Sequence, residues 1–132
     1  RRVRDGRQQG TVAALAATDP ANPWGWLLPW PDLADDTGHG PRRATGSAVV
    51  LVDGAPVLWV DRNGRRLRTF ADADPEVVER ALPALAEVAR ARPRRGLALE
   101  RVNGEPALGS ALQPLLKAAG FTEDYRRLRL RG

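Results

Sequence analysis

The segment from Ser47 to Phe70 constrains the fold most. Ala48–Val52, Pro56–Val60 and Arg66–Phe70 are strand-forming runs separated by Asp53-Gly54 and by Arg62-Asn63-Gly64. Asp-Gly and Asn-Gly accept the positive φ angles that tight hairpins need, so this stretch doubles back twice as an antiparallel meander. The first two runs are apolar on both faces and are expected at the centre of a sheet. The third alternates, with Leu67 and Thr69 on one face and Arg66 and Arg68 on the other.

On the N-terminal side, Thr11–Ala17 is an apolar run too short for periodicity to separate strand from helix. Four prolines between Pro20 and Pro31 then exclude regular structure, because each removes an amide donor and restricts the residue before it. Trp24, Trp26 and Trp30 make this a packed loop rather than a linker. Residues 32–46, with Asp35-Asp36, three glycines and Pro41, are expected to form a mobile surface loop.

Beyond the meander, Asp74-Pro75-Glu76 reads as a helix start, and Val77, Val78, Ala81, Leu82, Leu85 and Val88 recur at helical spacing. Pro83 is expected to kink or split that helix. Leu97–Val102 reads as one strand. Ser110 and Gln113 have capping-box spacing for a helix over Ala111–Ala119. The terminal run Tyr125–Arg131 reads as a strand with Leu128 and Leu130 inward and Tyr125, Arg127, Arg129 and Arg131 on an outward ladder. The order predicts one α+β domain over residues 1–132, an antiparallel curved sheet or partial β-barrel with two helices.

Composition removes several function classes. With no cysteine there is no disulfide, thiolate nucleophile or thiolate metal site, and with His39 as the single histidine no two-imidazole site. No metal-binding pattern, phosphate loop or membrane-length apolar run is present, and a cytoplasmic location is expected. The net charge is +5, and 20 of the 21 cationic residues are arginines, Lys117 being the exception. Residues 11–41 carry four Asp and no cation, a local charge of −4. The arginines concentrate in the lead-in of residues 1–10, in 42–70 and at the C-terminus, where they suit a polyanion.

Arg66 and Arg68 on the third strand, with Tyr125, Arg127, Arg129 and Arg131, form the candidate nucleic-acid surface, phosphates on the guanidinium groups and a base on the tyrosine. The same ladder also reads as an edge strand protected by charge. Trp24, Trp26 and Trp30 read most simply as a plug for the open end of a small sheet, with docking of a neighbouring domain as the alternative. Asp19, Asp32, Asp35, Asp36 and Asp124 are potential general bases that spacing does not distinguish. Asp19 before a proline suits a turn acceptor.

The string Ala16-Ala17-Thr18-Asp19-Pro20-Ala21-Asn22-Pro23-Trp24-Gly25, then Leu28-Pro29-Trp30-Pro31, resembles a segment near the C-terminal end of Lhr, the large helicase-related superfamily 2 proteins. The resemblance continues through Val49–Gly54, Leu58-Trp59-Val60, Thr69-Phe70, Glu100–Pro106, Ala118–Phe121 and Arg127–Arg131. It implies a terminal barrel-like module of the C-terminal extension that follows an ATP-dependent 3′-to-5′ DNA helicase core. It also implies DNA (single-stranded or tailed duplex) and winged-helix modules of the same polypeptide as partners, a possible homo-oligomer, and a role in DNA repair. ATP and Mg²⁺ are then expected only in the parent's helicase core, with no cofactor or metal in this module. The extension is similar to AlkZ-type DNA glycosylases, and some Lhr proteins are linked to uracil-DNA glycosylase activity. The family's catalytic aspartate is associated with the extreme C-terminus. Here Leu130-Arg131-Gly132 contains no acid, so Asp124 is the nearest candidate, beside Asp19.

Overall fold

The computed structural model describes residues 11–35, 40–92 and 94–131. The basic lead-in of residues 1–10, Asp36 and His39 lie outside the described residues. Thr11–Ala17 resolves as a strand, β1 (Val12–Ala16), followed by the expected meander of β2 (Ala48–Val52), β3 (Ala55–Val60) and β4 (Arg66–Thr69). All three junctions β1–β2, β2–β3 and β3–β4 are antiparallel, and a bulge between Val50 and Leu51 shifts the β2–β3 register. Asp53 enters the first hairpin at φ 52, next to Gly54 at φ 83, as an Asp-Gly turn requires.

The helix predicted from Asp74 begins at Pro75 as α1 (Pro75–Ala81), although the Asp74 carboxylate makes no capping bond. Pro83 has the predicted effect: the helix tightens into a 3₁₀ turn over Leu82–Ala84 and resumes as α2 (Leu85–Arg90). Val78, Ala81, Leu82, Leu85, Val88 and Ala89 from this kinked unit pack with Val50, Leu58, Val60 and Leu67 of the sheet in the main core. Each fully buried leucine there stabilises the fold by roughly 1.5–3 kcal/mol. The opposite face of the sheet, carrying Val49 and Trp59, is also buried. The Trp/Pro loop and residues 40–46 reach that side, through Trp30 stacked on Phe70 and the Trp59 indole donating to the Arg42 carbonyl.

The strand expected over Leu97–Val102 breaks at Glu100. β5 (Leu97–Leu99) pairs with the C-terminal strand, whereas β6 (Arg101–Val102) pairs in parallel with β4 and antiparallel with β7 (Glu105–Pro106). Helix α3 (Gln113–Ala118) is shorter than Ala111–Ala119 because Ser110 does not cap it. The Ser110 hydroxyl instead donates to Ala107 O, and the Gln113 side chain accepts from the Gly109 N–H. The C-terminal segment is a hairpin of β8 (Thr122–Asp124) and β9 (Arg127–Leu130).

Two sheets result: one of six strands in the order β1-β2-β3-β4-β6-β7, and one of three in the order β5-β9-β8. The expected antiparallel curved sheet or partial β-barrel is therefore corrected. Neither sheet closes or curls strongly, and the larger is mixed because β4 and β6 run parallel. The physical reason is the break at Glu100: the chain that would extend one curved sheet is divided between two. No helix among the described residues is long and apolar enough to cross a membrane.

Candidate nucleic-acid and docking surfaces

The Trp/Pro loop is organised by Asn22, whose side chain is fully buried. Its amide donates to the Ala17 carbonyl at 2.9 Å and its oxygen accepts the Trp24 N–H at 3.1 Å. Arg43 reaches across from the far end of the segment and donates to the carbonyls of Asn22, Asp19 and Thr18. Prolines leave such a loop with more carbonyl acceptors than amide donors, and one planar five-donor side chain supplies the deficit.

The three tryptophans then separate by role. Trp24 donates to Gly54 O, Trp30 stacks on Phe70 at 5.9 Å, and both are half-buried, as the plug reading expects. Trp26 is 55% exposed and continues into Leu27 at 64% and Leu28 at 43%. Its indole donates to Asn22 O while the Arg43 guanidinium sits 5.2 Å over its ring. An apolar tip is thus held out by a rigid base. Sequence reasoning missed Leu27, Leu28, Asn22 and Arg43. The available signal was a Leu-Leu pair inside a proline-rich loop, where no regular element exists to turn it inward.

The predicted basic residues do not form one ladder. Arg68 is buried, its guanidinium gripping Asp35 through Nε at 3.1 Å and through a second nitrogen at 2.6 Å. That pair and the bond from Ala34 N to Thr69 O tie down the first part of the 32–46 segment. Strand β9 is the middle strand of its sheet, not an edge. On its outward face Arg129 contacts Asp124 at 2.6 Å and Arg127 lies 3.5 Å from Glu100. Tyr125 is outside the strand, at the β8–β9 turn, 90% exposed and at φ 65, a costly conformation for a bulky residue. Arg131 is exposed at the end of β9.

A different set of arginines converges where the two sheets meet. Arg65 and Arg66 both face outward between buried Gly64 and Leu67, and across from them Glu100 and Arg101 both face outward between buried Leu99 and Val102. Side chains alternate along a regular strand, so the consecutive outward Glu100 and Arg101 mark where the chain passes from β5 to β6, opposite Arg65 and Arg66 at the entry to β4. The Glu100 and Arg101 N–H groups both donate to Arg65 O, at 2.7 and 3.1 Å. Arg66 stands in register beside Arg101. The same Glu100 oxygen lies 3.8 Å from Arg65 Nε and 3.5 Å from Arg127 Nε. Arg66 and Arg101 pair with no acid among the described residues. The Arg65-Arg66 doublet, at the entry to β4, was the legible signal.

The acids gather no catalytic set. Asp19 accepts the Ala21 N–H at 2.8 Å, the turn role its proline suggested, and Asp124 is engaged by Arg129. Asp32 contributes a backbone carbonyl to Ala71 N. No cluster of three metal-ligating side chains occurs among the described residues. Glu123 on β8 carries a perturbed carboxyl. The Lys117 ammonium, hydrogen-bonded at 2.8 Å and adding its charge, holds this carboxyl below its ordinary value.

These features define a small mixed α+β domain with an arginine-lined seam on one side and a rigid apolar tip in the Trp/Pro loop. No family model matches the chain. It is 39% identical over 132 residues to the Lhr helicase/probable uracil glycosylase of Mycolicibacterium smegmatis, an alignment covering 95% of this chain and 9% of that protein. It is 34% identical over 118 residues to the Lhr helicase/uracil glycosylase of Escherichia coli, covering 89% of this chain and 8% of that protein. The chain is therefore homologous, over most of its length, to the Lhr helicase/glycosylase family. It spans less than a tenth of either relative.

Proposed function

We propose that this chain is a non-catalytic accessory module of an Lhr-type ATP-dependent DNA helicase acting in DNA repair. In this reading its arginines touch the backbone of single-stranded or tailed duplex DNA, and its Trp26–Leu28 tip docks on winged-helix neighbours of the same polypeptide. ATP and Mg²⁺ belong to the motor elsewhere in the parent. The observation that carries the reading is the set of exposed arginines Arg65, Arg66, Arg101, Arg126 and Arg131.

The test is the salt dependence of DNA affinity. About four phosphate contacts give a log–log slope near −3.6 on duplex and near −2.8 on a single strand. Affinity indifferent to salt, or no binding in about 50 mM salt, overturns the backbone contact. For the tip, Trp26→Ala with Leu27→Ser is expected to weaken association with a separately expressed winged-helix neighbour while DNA affinity stays unchanged.

The names of both relatives favour a second reading, participation in a uracil-DNA glycosylase site. The measurement is base release from a uracil-containing strand by the full-length parent. Unchanged activity in Asp19→Asn and Asp124→Asn variants removes both acids from that role.

A further inference from the structure

The seam between the two sheets carries a feature that stability alone does not account for. Like charges in register on neighbouring strands are destabilising, yet Arg66 and Arg101 stand side by side, both exposed and with no acid partner among the described residues. Beside them a single carboxylate, Glu100, is shared by Arg65 and Arg127 through one oxygen, at 3.8 and 3.5 Å. Two guanidinium groups thus share one acid, Arg65 and Glu100 being next in the chain to the in-register Arg66 and Arg101. An exposed ion pair of this kind contributes little to stability, so an incoming anion displaces it at little cost. Guanidinium groups favour phosphate because their parallel N–H donors match two of its oxygens.

We propose that this seam binds two adjacent phosphates of a single nucleic-acid strand, one on Arg66 and Arg101 and the next on Arg65 and Arg127, which Glu100 holds until phosphate displaces it. The proposal rests on the accessory DNA-binding reading and centres the contact on the β4–β6 seam, with Arg127 as the β9 ladder residue that takes part. Glu100 acts as an internal competitor. Removing this acid should therefore strengthen binding, an outcome that general surface charge placed elsewhere does not produce.

The test uses the full 132-residue chain and an oligothymidylate, with affinity followed from low to high salt. Arg66→Ala with Arg101→Ala is expected to weaken binding about tenfold at about 0.15 M salt and to flatten the slope by about 0.7, the share of one single-strand phosphate contact. Glu100→Gln, nearly isosteric and half-exposed, is expected to tighten binding by up to about tenfold and to steepen the slope. Arg90→Gln, exposed in the last turn of α2, should change little. Glu100→Gln that weakens binding or leaves it unchanged overturns the proposal. So does an arginine double variant that binds like the parent, a result that leaves the accessory reading standing with its contact elsewhere. A parent chain with no salt-dependent affinity overturns both. Pyrophosphate separates a strand site from a free-phosphate site: displacement of the oligonucleotide by an equal concentration of pyrophosphate refutes the strand.

Discussion

Asn22→Ala is the perturbation that best tests how the Trp/Pro loop is held. The side chain is fully buried and makes two bonds of good length, to Ala17 O at 2.9 Å and from Trp24 N at 3.1 Å. Truncation strands one carbonyl and one amide inside the loop. Each unsatisfied buried group costs about 1–3 kcal/mol, partly offset because the polar amide no longer has to be desolvated. A net loss of about 2–3 kcal/mol follows, which in a domain of this size lowers Tm by about 10 °C. Urea unfolding followed by tryptophan fluorescence measures it directly. Asn22→Asp sharpens the test: the introduced carboxylate still accepts from Trp24 N but faces the Ala17 carbonyl without a donor. Burial raises that carboxyl's pKa, so the variant is expected to be weakest at neutral pH and to recover as acidification protonates the group and restores a donor. A loss under about 0.5 kcal/mol for Asn22→Ala, within ordinary surface scatter, would refute the assignment of Asn22 as the organiser of the loop.

Three further outcomes follow from other parts of the fold. Asp35→Asn or Arg68→Ala alone should each destabilise by up to about 3–5 kcal/mol by breaking a buried ion pair, while replacing both by apolar residues should cost less, as a double-mutant cycle in urea will show. Gly96→Ala places a Cβ against the Leu130 backbone carbonyl at φ 55 and should open the β5–β9 pairing, whereas Gly109→Ala, at φ 87 with nothing nearby, should cost only about 1 kcal/mol of backbone strain. Glu123 has a lowered pKa, so its pairing with Lys117 contributes above the ordinary carboxylate value and is lost as pH falls through the lowered one. Lys117→Met should return the Glu123 titration toward that ordinary value in an NMR pH series.

The elements legible in the sequence are those whose determinants are local. Asp53-Gly54 and Asn63-Gly64 specify the meander, and Pro83 marks the 3₁₀ break, because turn chemistry acts over a few residues. The topology was not legible, because Leu97–Val102 reads as one strand and nothing within it reveals that β5 and β6 have different partners on either side of Glu100. The site followed the same rule. The basic character of Arg66 and Arg127 is plain in the sequence, but burial of Arg68 depends on Asp35, far away along the chain, and the outward turn of Arg65 and Arg101 depends on a pairing between distant segments. The exposed tip at Trp26–Leu28 depends on Asn22 and Arg43, which a count of tryptophans does not weigh.

The parallel pairing of β4 with β6 also bears on how the chain folds. The β2–β3, β3–β4 and β8–β9 hairpins join near neighbours and can form in microseconds. Bringing Arg66 beside Arg101 closes the whole helical excursion between them, and the entropy of that closure is recovered only once α1 and α2 have packed. The cluster of like charges therefore assembles late, and a partly folded chain does not possess it. Any polyanion bound there recognises the finished domain alone and stabilises it by mass action, so nucleic acid added during refolding should raise the yield of native protein without speeding the early hairpins.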